Sequence, residues 1–440
     1  MVLRDGECNM DHVRVGLVGL GTVGTGVYKM LQENKDIITK KVGKEIRIEK
    51  ILVRNRDKER DPEIPSGLIT FDPGDILEND DIDIVIEVMG SVDLAMDYIK
   101  RALSSKKQVI TANKDLIALH EEELSELAHM NGRDLYFEAS VAGGIPIIGT
   151  LKEDLAGNKI RKIMGIINGT TNYILTRMTK EGKSYEDVLK DAVALGYAES
   201  DPTADVEGLD AARKIAILGT IAFDTKITFN DVYVEGITKI TKDDIKYADE
   251  LGYVVKLLGI GMNVDDKAEA RVHPVFIPKD HPLAAVNDVF NAIFVEGNAV
   301  GETMFYGRGA GELPTASAVI GDLMKATRDF INDTMGSSYR KIVKRKEIKD
   351  ISEVDTAFYT RMKVKDIPGV FAKIATVFGD HGVSIALVRQ QYRDDSGVAE
   401  IVLVTHKVQE KNVRDSLAAI EKLDVVEKVT SVIRVEEGKR

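Results

Sequence analysis

Residues 13–34 read VRVGLVGLGTVGTGVYKMLQEN, and this stretch decides the fold. An apolar, valine-rich run ends in Gly19, Gly21 and Gly24, spaced G-x-G-x-x-G, and a helical run follows at once. The first glycine permits a tight turn, the second lets backbone approach a pyrophosphate, and the third lets helix lie close on strand. Phosphate charge then meets free N–H groups at the helix N-terminus. Strand, turn and helix agree, so Gly19, Leu20, Gly21, Thr22, Val23 and Gly24 read as the phosphate turn of a dinucleotide-binding α/β unit.

The runs IRIEKILV, DIDIVIEV, KQVITAN and RDLYFEA alternate with helical segments up to about residue 150. Strands alternating with helices predict a parallel, helix-covered sheet of the Rossmann type. After the second strand stand Arg54, Arg56 and Lys58. An acid there would hold the ribose 2′-OH of NAD, whereas Arg54 offers charge to a 2′-phosphate, so NADP is expected, with NAD possible. The run DIVIEVMGS ends in Gly90 and Ser91, placed to face the nicotinamide half. From about 151 to 340, helices mix with less regular strands, and the last helices are expected to return to the first domain. Polar residues within YRKIVKRKEIKD suggest a linker at 341–354. Residues 355–440 restart as βαββαβ, the ferredoxin-like order. The expected plan is a Rossmann domain (1–150), an α+β substrate and dimerisation domain (151–340), the linker, and a ferredoxin-like domain (355–440).

With 440 residues, 44% hydrophobic, the chain can bury two or three cores. A net charge of −12 gives no bulk support for nucleic-acid or anionic-membrane binding. The single cysteine, Cys8, excludes an intrachain disulfide framework and a multi-cysteine metal site. No apolar run reaches the roughly 18–20 residues of a membrane span, and the first apolar stretch is broken by glycines, unlike a signal peptide. A cytoplasmic protein with no nucleic-acid or membrane partner is expected. The first ten residues match no element and read as a flexible arm.

Candidate chemistry gathers in GYAESDPTADVEGLDAARK, residues 196–214. Pro202 suits a helix start, and a helix is predicted from about Thr203 onward. On it Asp210 and Lys214 stand at i and i+4, sharing one face; an ordinary surface ion pair has the same spacing. Two other loops add polar groups: TANK, ending in Lys114, and NGTTNYIL, residues 168–175. Interconverting an alcohol and a carbonyl needs a proton-transfer group and a cation near the developing alkoxide. Lys214 and Lys114 suit both needs. An amino-acid substrate also needs acids for its ammonium group, which Glu199, Asp205 or Asp210 can supply.

GLGTVG, TANK, EASVAGGIP, NGTTNYIL, GYAESDPTADVEGLDAARK and GRGAGELPTASAV occur in the order seen in homoserine dehydrogenases, and the chain resembles that family from residue 12 to about 330. The resemblance implies NAD(P)H-dependent reduction of aspartate semialdehyde to homoserine, on the route to threonine, methionine and isoleucine. It implies that Lys214 gives the carbonyl its proton and Asp210 orients the substrate. Lys114 would lie near nicotinamide and substrate, and Glu199 would hold the amino group. Gly169, Thr170 and Tyr197 fall in the neighbouring substrate loops, and Gly311 and Glu312 in a late loop that returns to the cofactor. EASVAGGIP resembles the family's sodium loop, in which Glu138 and backbone carbonyls at Val141, Gly143 and Ile145 would bind a monovalent cation; a Gly-rich hinge has the same composition. Ser200 stands where the family often has proline.

YTRMKVKDIPGVFAKIATVFGDHGVSI, residues 359–385, places Asp366 and Gly369 between a strand and a helix beginning near Val370. A helix N-terminus beside an acid can hold both ends of an amino acid. The stretch resembles an ACT domain, which in this family implies feedback inhibition by threonine; an oligomerisation module without ligand has the same pattern. A homodimer or homotetramer is expected. Against an aspartate-semialdehyde dehydrogenase stands Cys8, which precedes the first strand, where no nucleophile is wanted. A non-catalytic NADP- and amino-acid-binding sensor is the alternative. His381 and His406 lack metal-like spacing and read as structural or surface residues.

Overall fold

The computed structural model describes residues 12–337, 345–392 and 397–436. Cys8, the N-terminal arm and residues 338–344 of the charged stretch lie outside the described residues. The chain divides into two compact units, one spanning Met1–Ala156 with Gly307–Val343, the other Gly157–Tyr306 with Lys344–Arg440.

The first unit opens with β1 (His12–Val18), α1 (Thr22–Glu33), α2 (Lys35–Val42) and β2 (Glu45–Leu52). It continues through β3 (Ile69–Thr70), α3 (Gly74–Leu77), β4 (Ile84–Glu87), α4 (Val92–Ser104), β5 (Gln108–Thr111), α5 (Lys114–Met130) and β6 (Leu135–Tyr136). The strands are parallel, in the order β3-β2-β1-β4-β5-β6. That order reverses direction between β1 and β4, which opens the crevice where doubly wound sheets take ligands. Helices cover the sheet, so Val13, Val15, Leu17, Ile84 and Ile86 are completely buried. Strand β3, only two residues long, has no periodic signal in the sequence.

The second unit begins with β7 (Ile160–Ile166), α6 (Gly169–Glu181), α7 (Tyr185–Ala194), α8 (Thr203–Val206) and α9 (Leu209–Phe223). The sequence predicts one helix from about Thr203; two form instead. Gly208 breaks the run in the left-handed region, at φ 81°, and a Cβ there would stand 3.1 Å from Val272 Cγ1. Next come β8 (Tyr233–Val234), α10 (Lys242–Glu250), β9 (Tyr253–Val264), β10 (Lys267–Pro278), β11 (Phe290–Gly297) and β12 (Gly301–Arg308). Strands β9 and β10 form a long regular hairpin where the sequence suggests irregular strands. Its two-residue loop is Asp265–Asp266, both at positive φ, a mirror-image turn made without the usual glycine.

Helix α11 (Glu312–Ile331) belongs to the first unit and lies so close to α1 that a Cβ on Gly26 would stand 2.8 Å from the Glu312 carbonyl oxygen. The chain then supplies β13 (Glu347–Ile348), β14 (Asp355–Lys365), α12 (Val370–Asp380), β15 (Ile385–Tyr392), β16 (Val398–Thr405), β17 (Val408–Gln409), α13 (Glu410–Ile420) and β18 (Val426–Val435). Part of the stretch read as a linker is therefore β-structure, since Glu347 and Ile348 pair with Lys267 and Ala268 of β10. Strand order β18-β14-β16-β15 is the ferredoxin-like arrangement, over a core that includes Met362, Ile374, Phe378, Ile401 and Ile420.

This C-terminal module is continuous with the sheet of its unit. Strand β18 pairs with β10 at Val275–Arg434 and Phe276–Val435, so one sheet runs from β12 to β15. Two buried arginines fasten the junction. Arg361 donates to Asp244 (3.0 Å), Glu400 (3.2 Å) and Thr241 (2.9 Å), and both carboxylates are fully buried. Arg434 grips Glu410 through Nε (2.8 Å) and reaches Glu235 (2.7 Å). Removing one partner of such a cluster strands the others in low dielectric. Arg361→Leu should lower unfolding stability by about 3–5 kcal/mol in denaturant melts, and a loss below about 1 kcal/mol would refute this role for the cluster.

Candidate active site

In the first unit, the turn after β1 gives each glycine a distinct environment. Gly19 has φ 106°, and a Cβ on it would lie 2.9 Å from the Val88 carbonyl oxygen. A Cβ on Gly24 would collide with the Gly19 carbonyl oxygen at 2.2 Å. Gly21, the N-cap of α1, has nothing within 4 Å of where its Cβ would be. Two glycines are thus demanded by packing, and the middle one leaves open backbone at a helix N-terminus, where phosphate binds. Leu20, Thr22 and Val23 complete that turn and first helical residues. Arg54 is exposed just beyond β2 and has no hydrogen bond or ion pair among the described residues.

The carboxyl ends of β4 and β5 are tied by Glu87, which accepts from Thr111 Oγ1 (2.6 Å) and from the Met89 N–H (2.7 Å). Burial pushes its carboxyl above the usual range. Beyond Glu87 the chain bends at Gly90, φ 76°, into Ser91. Asn113 caps α5 through the Leu116 N–H (3.1 Å) and donates to the Ser91 carbonyl (2.9 Å). It thereby holds Lys114, the first residue of α5, beside the Gly90–Ser91 bend. Asn113 carries the ordinary cap signal, a residue of its type just before a helix, and its tie to Ser91 has no signal in the sequence.

In the second unit the polar groups converge on Asn168, the N-cap of α6. Its Oδ1 accepts from the Thr171 N–H (2.9 Å), and its Nδ2 donates to Asp205 (2.7 Å) and Asp210 (2.9 Å). Lys214 Nζ donates to the same Asp210 oxygen (2.7 Å) and to the Ile167 carbonyl (2.8 Å). Asp210 is 4% exposed, so this is no solvated surface pair. Among the described residues two of the three ammonium N–H bonds are taken, leaving one for another acceptor. Thr170 Oγ1 donates to the Tyr197 carbonyl (2.8 Å), and the Tyr197 ring meets Tyr173 at 4.7 Å. Glu199 follows Tyr197 on the same loop, exposed. Asp205, Asp210 and Lys214 therefore meet, with Gly169 and Thr170 beside them on α6, while Lys114 belongs to the first unit.

In the Gly-rich loop after β6, both oxygens of Glu138 are committed to protein. One accepts from the N–H groups of Ile147 and Ile148, each at 2.7 Å, and the other from Gly149 at 2.6 Å. Gly143, φ 41°, lies against Gly309, whose carbonyl oxygen would be 2.7 Å from an added Cβ. The loop of Val141, Gly143 and Ile145 thus touches the segment leading to Gly311 and Glu312. Asp322 accepts the Glu138 N–H at 2.8 Å; burial, helped by the Glu138 charge, pushes its carboxyl up to about 8. No cluster of three acidic, histidine or cysteine side chains able to hold a metal ion occurs among the described residues.

In the C-terminal module, Gly369 caps α12 at φ 89° with open space around it, and Val370 is the buried first helical residue. Asp366 is exposed between them and β14. His381 Nδ1 lies 2.8 Å from the Val377 carbonyl at the end of α12, and His406 is exposed. No described helix is long and apolar enough to cross a membrane.

Residues 19–138 match the family model described as the NAD-binding domain of homoserine dehydrogenase. Residues 146–324 match homoserine dehydrogenase, and 358–425 match the ACT domain. The chain is 47% identical over 428 residues to the homoserine dehydrogenase of Bacillus subtilis (strain 168), covering 97% of this chain and 99% of that one. A solved homoserine dehydrogenase from Thiobacillus denitrificans superposes with a TM-score of 0.90 at 42% identity, covering 97% of this chain and 98% of the other. A hyperthermophilic archaeal homoserine dehydrogenase solved in complex with NADPH superposes with a TM-score of 0.61 at 29% identity, over 72% of this chain and 98% of that one.

The Asp322 carboxyl titrates near 8 in the fold against 3.8 when unfolded, so its neutral form is the stable one inside. Its ionisation in the unfolded chain draws stability down as pH rises between about 4 and 8. Asp322→Asn keeps the acceptor for the Glu138 N–H and abolishes the charge. Its melting temperature should gain on the parent steadily across that window, and a constant difference would exclude a buried neutral Asp322.

Proposed function

The chain belongs to the homoserine dehydrogenase family, and on that premise we propose how its residues carry the interconversion of L-aspartate 4-semialdehyde and L-homoserine. The protein is an NAD(P)-dependent oxidoreductase with a C-terminal ACT domain. The observation that carries the residue assignment is the Lys214 ammonium group, held by Asp210 and the Ile167 carbonyl with one N–H uncommitted. The nicotinamide cofactor supplies or accepts the hydride. Lys214 gives a proton to the carbonyl oxygen as negative charge develops there, and takes it back in the oxidative direction. Asp210 fixes the lysine and orients substrate. Glu199 and Asp205 receive the substrate's ammonium group, while Gly169, Thr170 and Tyr197 shape its chamber. Lys114, on the α5 turn, contributes the second cation for the developing oxyanion.

Gly19 to Gly24, Gly90, Ser91, Gly311 and Glu312 form the cofactor cradle. Arg54, with no competing partner, favours NADP through a 2′-phosphate contact. The backbone carbonyls of Val141, Gly143 and Ile145 would hold a monovalent cation, sodium. The Glu138 carboxylate is already engaged by three N–H groups, so this residue contributes its main-chain carbonyl. Oxygen-only ligands suit such a hard cation. In the ACT domain, the N-terminus of α12 at Gly369 and Val370 takes an effector carboxylate and Asp366 its ammonium group, threonine being the effector. Edge strands β12 and β15 expose Met304, Tyr306, Leu387 and Val388, apolar surface in keeping with a homodimer or homotetramer. The enzyme works in the cytoplasm.

Lys214→Ala should cut homoserine-dependent NADP+ reduction at alkaline pH by about 10²-fold or more, with cofactor affinity retained. Near-normal turnover would remove Lys214 from proton transfer, and a parent protein that binds NADP+ but never reduces it would make the chain a sensor. Threonine should inhibit the parent, and Asp366→Ala should raise the half-inhibiting concentration at least about tenfold, as loss of one charged contact predicts. Unchanged inhibition would displace the effector from α12.

A further inference from the structure

Asn291, on β11, has no part in the chemistry assigned so far, yet its position is unusual. It is 1% exposed, and neither its amide nitrogen nor its amide oxygen has a hydrogen-bond partner among the described residues. It stands one residue before Ala292, which pairs with Ile166, and so lies beside the strand end whose Ile167 carbonyl holds Lys214. Its Oδ1 is 3.7 Å from where a Cβ on Gly169 would be, and the Val289 carbonyl oxygen is only 2.9 Å from that point. The residue leading into β11 thus presses on the first residue of α6, where only glycine fits.

Fastening that strand to α6 does not require Asn291. Asn172, one turn along α6, donates to the carbonyls of Asp288 (3.0 Å) and Phe290 (3.1 Å), and its own oxygen receives Lys256 Nζ at 3.1 Å. One asparagine at this contact is richly bonded, and its neighbour is buried with nothing to bond. A buried unpaired amide weakens the fold that contains it, and an apolar side chain of the same shape would not.

We propose that Asn291 is a positioning residue for the reaction. Its amide pairs with the Asn168–Gly169 backbone when that segment closes on the substrate's polar end, so it favours the substrate-bound arrangement over the free one. A group unpaired in one state and paired in the other biases the equilibrium by that difference. Through Asn168 and the Ile167 carbonyl the same movement sets Lys214 and Asp210. The inference rests on the substrate-loop role assigned above to Gly169 and Thr170.

The test compares Asn291→Leu with the parent in the full chain, with Lys214→Ala measured in parallel. Asn291→Leu should melt at or above the parent temperature and bind NADP+ unchanged, while kcat/KM for homoserine falls about tenfold or more, the scale of one lost hydrogen bond. Asn291→Ser, which restores a donor and acceptor, should recover part of that loss relative to Asn291→Ala. A lower melting temperature with unchanged kcat/KM would make Asn291 structural and overturn the proposal, as would unchanged values of both. If leucine cannot be accommodated, the serine and alanine variants decide on the same two readouts. Full activity in Lys214→Ala would instead count against the site assignment itself, whatever Asn291 does.

Discussion

The buried carboxylate of Asp210 needs hydrogen bonds from its surroundings, and the second unit is arranged to give them. Asn168 and Lys214 approach the same oxygen, one from the cap of α6 and the other from the next turn of α9. A carboxylate in this setting cannot lose either donor cheaply. The contact therefore fixes the angle at which α9 enters, the break at Gly208 that frees Asp210 to stand at a helix start, and the loop between β7 and α6. Lys214 is positioned as a by-product of satisfying a buried charge. The same bonds that stabilise the corner aim its one uncommitted N–H.

The first unit solves its problem with backbone. In the turn after β1 a side chain is excluded at Gly24 because the Gly19 carbonyl is there, while the space beside Gly21 is open. The loop at Glu138 inverts this arrangement. There a carboxylate is supplied to backbone N–H groups, two of them buried, by the protein itself. Asp322, pressed against it, is kept neutral by burial and by that neighbouring charge.

The large sheet runs without a break from the ACT module to the strands that carry the Asp210 corner of the same unit. Strand β18 is hydrogen-bonded to β10, β10 to β9, and β9 to β7, whose end carries the Ile167 carbonyl. Arg361 and Arg434 clamp that junction with buried ion pairs, whose loss is costly and whose geometry is specific.

Much of this was written in local sequence. G-x-G-x-x-G after an apolar run marked the Rossmann start, because Gly19 and Gly24 answer backbone demands that no other residue meets. The βαββαβ tail was legible from periodicity, and Asp210 with Lys214 from i, i+4 spacing. Local sequence could not say that Asp210 is buried, that Gly208 splits the helix against Val272, or that Glu347 and Ile348 pair with β10. It also could not show that Asn168 joins two carboxylates, that Asn172 is saturated while Asn291 is not, or that Asp322 is held neutral. Those facts depend on residues far apart in the chain being brought within about 3 Å, the range at which hydrogen bonds and desolvation act. Sequence determined which elements form and which chemical groups are present; tertiary structure decided which of those groups are dry, paired and close enough to act together.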